Sequence, residues 1–295
     1  MKHAYLIIAH NEPFVLQTLL SLIDDRNNDV FLHIDKRSEL LYRDIKSYRM
    51  KESYLDVLSD RISVYWGDIS LVEVELLLME RALNHGFYDY VHLLSGVDLP
   101  IKNQATIHKF FQEFRGKEFV SFWNDTAHRR DLERKVFRYH FFTKYLKNKD
   151  ELSHKICIPL RNLSLICQKL LHIQRNHDLQ FYKGSQWFSI TSSFCSYIVS
   201  RKQAILRNFK YTLCPDEIFL QTYLMNSPFK DSLFSFDQIE QGNQRKIDWT
   251  RGSPYTWKGT DIDEIIHSDL LFARKFSGDQ LDLINIIKYH LSKDL

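Results

Sequence analysis

The sequence predicts an α/β protein with a mostly parallel central sheet and helices on both faces. Short apolar runs alternate with segments of helical periodicity through the first hundred residues, and most neighbouring positions in these runs are apolar rather than alternating with polar ones. Continuous apolar runs are typical of strands that are buried on both faces, whereas strands with one solvated face alternate. The 295 residues include 44% hydrophobic side chains, enough for a large core and a cleft.

The predicted elements follow in order along the chain. Strands are predicted at 4–9, 30–34, 62–65 and 88–94, with helices at 13–23, from the second strand to about 58, and at 70–85. The second half predicts helices at 126–149, 159–173, 192–209, from 214 onwards, at 261–268 and at the C-terminus, with strands at 184–191 and 247–249.

A polar cluster follows each of the first four predicted strands. These clusters are 10–12, 35–37, 66–68 and 95–98. Ligands bind at the carboxyl ends of the strands in open parallel sheets. We therefore expect the four clusters to line one cleft.

Glycine is scarce, and its spacing excludes two phosphate-binding loops. The chain has 9 glycines, no two separated by a single residue and none standing five before Gly-Lys-Ser/Thr. A G-x-G-x-x-G dinucleotide loop and a Walker A loop are therefore both absent. If the protein binds phosphates, it must do so with other groups.

Charge and cysteine content exclude further classes. A net charge of +3 gives no sign of nucleic-acid binding, and the four cysteines contain no C-x-x-C pair that indicates zinc or a disulfide framework. The apolar run at the N-terminus is too short for a signal peptide. The expected setting is the cytoplasm.

The region after residue 125 differs in composition. Residues 126–149 hold eight basic side chains against two acidic ones, interleaved with aromatics. The basic residues are Arg129, Arg130, Arg134, Lys135, Arg138, Lys144, Lys147 and Lys149. This pattern fits either a solvated helix face over core aromatics or a contact with an anionic acceptor or membrane surface.

Glu217 is the most pointed candidate for chemistry. It stands in the first turn of a predicted helix, where the dipole favours an ionised carboxylate that can accept a proton from a hydroxyl nucleophile. The same position also suits a residue that only complements the dipole. Arg251 and Lys275 are basic residues in aromatic and turn-rich segments, and they are either diphosphate ligands or surface charges.

Metal and hydrolase motifs are weak or missing. The single Asp-x-Asp, at 261–263, falls at a predicted helix start, where capping explains it. At the end of the fourth strand, where a metal-bridging pair would sit, only Asp98 is found. H-E-x-x-H and G-x-S-x-G are absent.

Six segments in order resemble one family. They are HIDK at 33–36, HLLSGVDLPIK at 92–102, GSQWF at 184–188, PDE at 215–217, IDWTRGSP at 247–254 and LFARKF at 271–276. The ordered set resembles the core-2/I-branching N-acetylglucosaminyltransferases and peptide O-xylosyltransferases, in a compact bacterial-type form. This resemblance implies a GT-A fold and an inverting transfer of N-acetylglucosamine or xylose from a UDP-sugar to a glycan hydroxyl, without a metal or other cofactor.

The resemblance also assigns roles to residues. Glu217 is the implied catalytic base, and Lys275 and, with one residue of alignment slack, Arg251 hold the diphosphate. The implied donor contacts are Ala9, His10, Asp35, Lys36, Arg37 and Gly67, and the implied acceptor or sugar contacts are Asp98, Ser185 and Trp187. It predicts one domain over 1–295, with a nucleotide-binding half at 1–125, a variable basic helical insertion at 126–180 and a catalytic half at 181–295.

Two rival interpretations stay open at this point. One is a metal-dependent GT-A transferase in which Asp98 and another acid hold Mn²⁺. The other is a non-catalytic protein that binds carbohydrate or lipid head groups, with Trp187, Trp249 and Trp257 as stacking platforms. The expected acceptor is a glycan or a lipid-linked glycan of a bacterial surface polysaccharide, and 126–149 is the candidate for peripheral membrane contact.

Overall fold

The computed structural model describes residues 1–147 and 151–293, so the predicted basic residue Lys149 lies outside the described residues. Nine strands lie in the described part of the chain. They are β1 (His3–Ala9), β2 (Asn28–Ile34), β3 (Tyr54–Val57), β4 (Tyr90–Ser95), β5 (Asp98–Pro100), β6 (Phe119–Val120), β7 (Phe188–Thr191), β8 (Arg245–Ile247) and β9 (Phe272–Arg274).

Six strands form the central sheet in the order β3-β2-β1-β4-β7-β6. The first four are parallel, and β7 runs antiparallel to both of its neighbours. A second, three-stranded sheet has the order β5-β9-β8. The prediction of a mostly parallel central sheet is confirmed.

Twelve α-helices surround the sheets in the described residues. They are α1 (Pro13–Leu22), α2 (Glu39–Ile45), α3 (Ser70–His85), α4 (Gln104–Glu113), α5 (Thr126–Val136), α6 (Leu152–Leu170), α7 (Ser192–Ser200), α8 (Lys202–Phe209), α9 (Phe219–Met225), α10 (Ile239–Asn243), α11 (Ile262–Ile266) and α12 (Leu281–Lys293). Short 3₁₀ turns lie at Thr143–Tyr145, Pro215–Glu217, Pro228–Ser232 and Gly259–Asp261.

Strand β1 shows why both faces of the sheet carry helices. Leu6 and Ile8 pack into a core with residues of α3, α7 and α9, whereas Tyr5 and Ile7 pack into a second core with residues of α1, α4 and α12. Successive side chains of a strand point to opposite faces, so a strand that is apolar at every position needs cover on both sides.

The predicted strand at 62–65 is wrong, and the predicted helix before it is too long. The outer neighbour of β2 in the sheet is β3, at residues 54–57, and not the segment at 62–65. Helix α2 ends at Ile45 and does not continue to residue 58. In 62–65 three backbone amides are taken by side chains: Ile62 donates to Nε2 of His33 at 2.9 Å, Val64 to Oδ2 of Asp35 at 3.2 Å and Tyr65 to Oγ of Ser70 at 3.0 Å. These bonds replace the ladder that a strand needs.

The predicted basic helix at 126–149 is also too long, because α5 ends at Val136. Beyond that point the backbone amides find partners elsewhere. Tyr139 donates to Oε1 of Gln168 at 2.8 Å, and His140 donates to the carbonyl of Tyr211 at 2.9 Å. The helix predicted at 159–173 instead spans 152–170, and that predicted at 192–209 divides into α7 and α8 at Arg201.

Candidate active site

The sheet topology brings the predicted polar clusters to one edge. The carboxyl ends of β1, β2 and β4 lie there, followed by residues 10–12, 35–37 and 95–98. Because β7 is antiparallel to β4, its amino end lies at the same edge and adds residues 184–187. Three of the four predicted clusters therefore lie at one edge of the sheet, whereas residues 66–68 follow no strand.

A cleft of about 370 Å³ opens between the end of β1 and the end of β9. Its wall includes His10 and Lys275, two of the residues assigned to the donor. It also includes Lys258 and Arg274, two cations that the sequence did not single out. Arg274 stands directly before Lys275 in the LFARKF segment. This position could have identified it from the sequence as a candidate residue of the cleft.

The carboxylate of Asp98 forms an ion pair with Arg274. The two residues face each other in the register of β5 and β9, and Nη1 of Arg274 lies 2.6 Å from Oδ1 of Asp98. The backbone N–H of Ser95 donates to the other carboxylate oxygen at 2.8 Å. Burial raises the pKa of Asp98, with Arg274 acting in the opposite direction. The structure uses this aspartate to position a cleft cation.

The carbonyl of Ala9 and the carboxylate of Asp35 shape the loop after β2. The Asp35 N–H donates to the Ala9 carbonyl at 2.9 Å, and the Arg37 guanidinium donates to Oδ2 of Asp35 at 2.8 Å. Burial alone would raise the pKa of Asp35, but the bonds from Arg37 lower it. Arg37 also stacks 4.5 Å from the ring centroid of Tyr65, and Lys36 stays exposed.

The 3₁₀ turn that carries Glu217 is held from two sides. The Gly67 carbonyl accepts a bond from Cys214 at 3.0 Å, and the Gly184 N–H donates to the Glu217 carbonyl at 2.9 Å. A Cβ on Gly184 would lie 1.8 Å from the carbonyl oxygen of Ser121, so only glycine fits there. Ser185 is buried beside it and donates its backbone N–H to Oγ of Ser121 at 3.2 Å.

The Glu217 carboxylate belongs to a cluster of two lysines and two acids. Oε2 of Glu217 lies 3.0 Å from Nζ of Lys135 and 3.5 Å from Nζ of Lys183. Both lysines also contact Oδ2 of Asp131, at 3.1 and 2.6 Å. The lysine side chains are buried, whereas that of Glu217 is 28% exposed.

This geometry leaves one carboxylate oxygen for chemistry. Both ion pairs use Oε2, and Oε1 has no hydrogen-bond partner among the described residues. Burial alone would lower the pKa of Lys135, but Glu217 and Asp131 raise it, so the lysine stays charged. The sequence pointed to neither lysine as a partner of Glu217, although Lys183 directly precedes the GSQWF segment.

Asp216 differs sharply from its neighbour Glu217. Its side chain is buried, and burial, reinforced by Glu217, raises its pKa. The fully buried carboxyl of Glu75, which accepts a bond from Gln186 at 2.8 Å, also has a raised pKa through burial and through Asp216. Of the two adjacent acids, the partly exposed Glu217 is thus the one that a substrate can reach.

Comparison with known proteins places the chain in a family. The family model of the core-2/I-branching enzymes matches residues 3–270. The chain belongs to the core-2/I-branching enzyme family. The resemblance seen in the six sequence segments is confirmed, and the enzyme class predicted from it, a glycosyltransferase, is confirmed at the level of the family. The observed architecture, a mostly parallel central sheet with helices on both faces, confirms the predicted α/β fold class.

The chain is also similar to curated xylosyltransferases. It is 28% identical to rat xylosyltransferase 2 over 311 residues, which cover 99% of this chain and 34% of the relative. It is 25% identical to rat xylosyltransferase 1, covering 94% of this chain and 34% of that protein. The chain thus spans about a third of the length of these relatives. Mouse xyloside xylosyltransferase 1 aligns in structure with a TM-score of 0.38 and 11% identity, over 92% of this chain and 97% of that one.

In this core-2/I-branching family member the structure does not bring Arg251 to the cleft. Its guanidinium pairs with Asp248, with Oδ1 of Asp261 at 2.9 Å and with Oε2 of Glu264 at 2.9 Å. It also stacks 4.4 Å from the ring centroid of Tyr255. Asp261 accepts a backbone bond from Lys258 at 2.9 Å and so caps the 3₁₀ turn Gly259–Asp261, but its side chain makes no cap bond to α11, the helix that the sequence predicted it to cap.

The three tryptophans proposed as stacking platforms differ in exposure. Trp257 is fully buried, and Trp187 is 7% exposed with the Arg274 guanidinium 4.2 Å from its ring centroid. Stacking platforms at Trp187 and Trp257 are therefore wrong for this structure. Trp249 is 46% exposed and lies edge-on to Trp123, with 6.2 Å between ring centroids. No motif or spacing in the sequence pointed to Trp123.

No group of three or more His, Cys, Asp or Glu side chains in 1–147 and 151–293 is arranged to hold a metal ion. Among the helices in these ranges, none combines the length and apolar character needed to cross a membrane.

Proposed function

We propose that the chain transfers a sugar, with inversion, from a UDP-sugar to a hydroxyl of a glycan acceptor. The observation that carries the proposal is Glu217: a partly exposed carboxylate, fixed through Oε2 and free at Oε1, at the sheet edge that also carries a cationic cleft. The names of the relatives favour UDP-xylose as donor, ahead of UDP-N-acetylglucosamine.

The proposed reaction is a single displacement. The acceptor oxygen attacks the anomeric carbon and forms the new glycosidic bond, while the bond from that carbon to the UDP oxygen breaks. Oε1 of Glu217 takes the hydroxyl proton as general base. Lys135 and Lys183 hold the carboxylate in one orientation, which keeps the oxygen in line with the acceptor.

The cleft supplies charge for the departing diphosphate. Lys275, Lys258 and Arg274 line it together with the carboxylates of Glu12 and Asp279, and neither lysine makes an ion pair with the described residues. Cations that lie where negative charge develops stabilise the leaving group, as a divalent metal does in other enzymes. We propose that these residues serve the diphosphate and that no metal is required. The Asp98 carboxylate is already paired with Arg274. This pairing supports a metal-independent reaction over the alternative in which Asp98 holds Mn²⁺.

An aromatic wall next to the base suits an acceptor sugar. Nζ of Lys183 lies 4.9 Å from the ring centroid of Trp123, and Trp123 contacts the exposed Trp249. Aromatic faces beside polar groups suit the apolar faces of sugar rings. We propose that the acceptor glycan binds along Trp123 and Trp249, and that it belongs to a bacterial surface polysaccharide assembled in the cytoplasm.

UDP release measures this proposal directly. The chain is incubated with UDP-xylose, UDP-N-acetylglucosamine and GDP-sugars, without acceptor and then with xyloside and oligosaccharide acceptors, with and without excess EDTA. We expect slow hydrolysis of one UDP-sugar alone, faster release with an acceptor, and no loss in EDTA. Loss in EDTA that Mn²⁺ restores would overturn metal independence. No thermal shift and no turnover with any nucleotide sugar would instead favour a carbohydrate-binding protein.

A further inference from the structure

Helix α6 has its polar and apolar sides reversed relative to an ordinary surface helix. Its two buried residues are Arg161 and Gln168, whereas its large apolar residues face outward. These exposed residues define the α6 stripe: Leu152 (73%), Ile156 (53%), Leu160 (49%), Leu163 (57%), Ile166 (56%) and Leu170 (72%). Their spacing of three or four residues places them on one helix face, about 27 Å long.

Polar contacts fix this orientation. Gln168 accepts a bond from the Tyr139 N–H at 2.8 Å and donates to the Tyr139 carbonyl at 3.0 Å. Arg161 lies 3.1 Å from Nδ1 of His140, and Arg138 donates to the Leu165 carbonyl at 3.3 Å. These bonds would be lost if the helix rotated to bury its apolar side. These contacts thus hold the α6 stripe in its outward orientation, and no other described residues bury it.

The surroundings of the stripe are basic. Helix α6 contains three basic and no acidic residues. A cavity of about 760 Å³ lies between α5 and α6, and its lining includes Arg130, Arg134, Arg138 and Lys169 against one acid, Glu133. Arg130 and Lys169 are exposed and have no acidic partner in the described residues.

An apolar stripe with a cationic rim matches an anionic bilayer surface. Apolar side chains enter the boundary between head groups and acyl chains, and neighbouring cations attract lipid phosphates. A second copy of the chain fits less well, because two such faces would bring Arg130, Lys155 and Lys169 of each copy together. Like charges facing one another disfavour that contact.

We propose that α6 lies in the surface of an anionic membrane, with the cavity between α5 and α6 receiving lipid phosphate groups. The contact predicted for 126–149 thereby moves mainly to 152–170. Helix α5 separates this surface from the candidate site, because Lys135 on its inner side contacts Glu217. If the proposed function holds, docking presents the site to acceptors at the membrane.

Vesicle flotation tests the proposal. The chain is mixed with phosphatidylcholine vesicles, with or without about one third phosphatidylglycerol, at low and physiological salt. We expect binding to the anionic vesicles that weakens with salt, and little binding to the neutral ones. Ile156→Glu with Leu163→Glu should reduce the partition coefficient about tenfold or more. The matched pair Leu40→Glu with Phe87→Glu, at 77% and 100% exposed positions, should leave it unchanged.

A second arm separates head-group from apolar binding. Arg130→Gln with Lys169→Gln should weaken binding to anionic vesicles about tenfold, and Glu217→Gln should bind as wild type does, whatever its activity. Circular dichroism and thermal unfolding check that each variant folds. Absence of wild-type binding at low salt, equal binding to both vesicle types, or equal loss in the control pair would overturn the proposal. So would a dimer, seen by light scattering, that the stripe substitutions dissolve.

Discussion

Two clusters of cations lie near the candidate site, and they differ in how their charge is balanced. In the first, the base cluster, Lys135 and Lys183 meet two carboxylates, those of Asp131 and Glu217. In the second, the cleft cluster, Arg274 meets Asp98, while Lys258 and Lys275 have no ion pair among the described residues.

The difference separates two tasks that cations perform. A buried cluster whose charges already cancel gains little from a further anion, but it holds its carboxylate rigidly. A partly solvated cluster whose lysines lack carboxylate partners can attract an anion and stabilise charge that develops during a reaction. The base cluster is therefore suited to positioning Glu217, and the cleft cluster to binding a diphosphate.

The largest effect should come from the base cluster. Glu217→Gln keeps the shape of the side chain but removes the proton acceptor, so kcat should fall about 10²- to 10⁴-fold. Donor affinity, measured by calorimetry with UDP, should stay unchanged because the cleft cluster is intact. Glu113→Gln, at an exposed position of α4, is the matched control and should keep full activity. Full turnover in Glu217→Gln would refute the base assignment.

The next effect should appear in the cleft cluster with the opposite signature. Lys275→Ala removes a cation without a carboxylate partner, so UDP should bind about 10- to 100-fold more weakly. The free energy of unfolding should barely change, because no ion pair in the described residues is broken. Lys109→Ala on the surface of α4 is the control. If Lys275→Ala alters stability but leaves UDP affinity intact, the division of tasks fails.

A smaller effect concerns the carboxylate that both buried lysines share. Asp131→Asn leaves Lys135 and Lys183 with Glu217 alone and should lower the free energy of unfolding by about 1–2 kcal/mol. This is less than for a fully buried pair, because the Asp131 side chain is 28% exposed. Urea denaturation at neutral pH measures it, and Asp178→Asn, at an exposed position, serves as the control.

The pH dependence of this effect has a definite sign. Burial alone would raise the pKa of Asp131, but bonds from Lys183 and Arg134 and the charge of Lys135 lower it. A folded-state pKa below the unfolded value of about 4 stabilises the fold above that pH, and the contribution is lost as the pH falls below it. Wild type and Asp131→Asn should therefore converge in stability in acid. A gap that persists there would exclude the ion pairs as its cause.

Most of the fold could be predicted from the sequence because the signal was local. The apolar runs of β1, β2 and β4 have one physical explanation, burial on both faces. The strand next to β2 could not be placed, since side chains of His33 and Asp35 occupy the amides of the segment at 62–65. Such bonds join residues about 29 positions apart, beyond the reach of a periodicity argument.

The candidate site shows the same limit. Glu217 and Lys275 stand in recognisable segments, and the structure places the first in the base cluster and the second in the cleft. Lys135 and Lys183 are 82 and 34 positions from Glu217 in the sequence, and no spacing rule joins them. Trp187 looked like a sugar contact beside Gly184 and Ser185, but the Arg274 guanidinium covers its ring.

The smallest effect on UDP affinity should come from Arg251. This residue tests most directly whether a cation that is already balanced by carboxylates contributes to donor binding. In sequence Arg251 and Lys275 appear equivalent, yet Arg251 already contacts Asp248, Asp261 and Glu264. A guanidinium balanced by three carboxylates has little attraction left for a phosphate. Arg251→Ala should therefore change UDP affinity by less than about threefold. It should also lower the melting temperature, because the three ion pairs of Arg251 are lost.

Arg251→Lys distinguishes an arginine that bridges three carboxylates from one that binds the donor phosphate. Lysine keeps the charge but lacks the planar guanidinium that can contact several carboxylates at once. The variant should melt below wild type while UDP affinity stays the same. If instead Arg251→Ala weakens UDP binding as much as Lys275→Ala does, the three carboxylates must release the arginine when the donor binds. The cleft cluster would then include Arg251 in the donor-bound state.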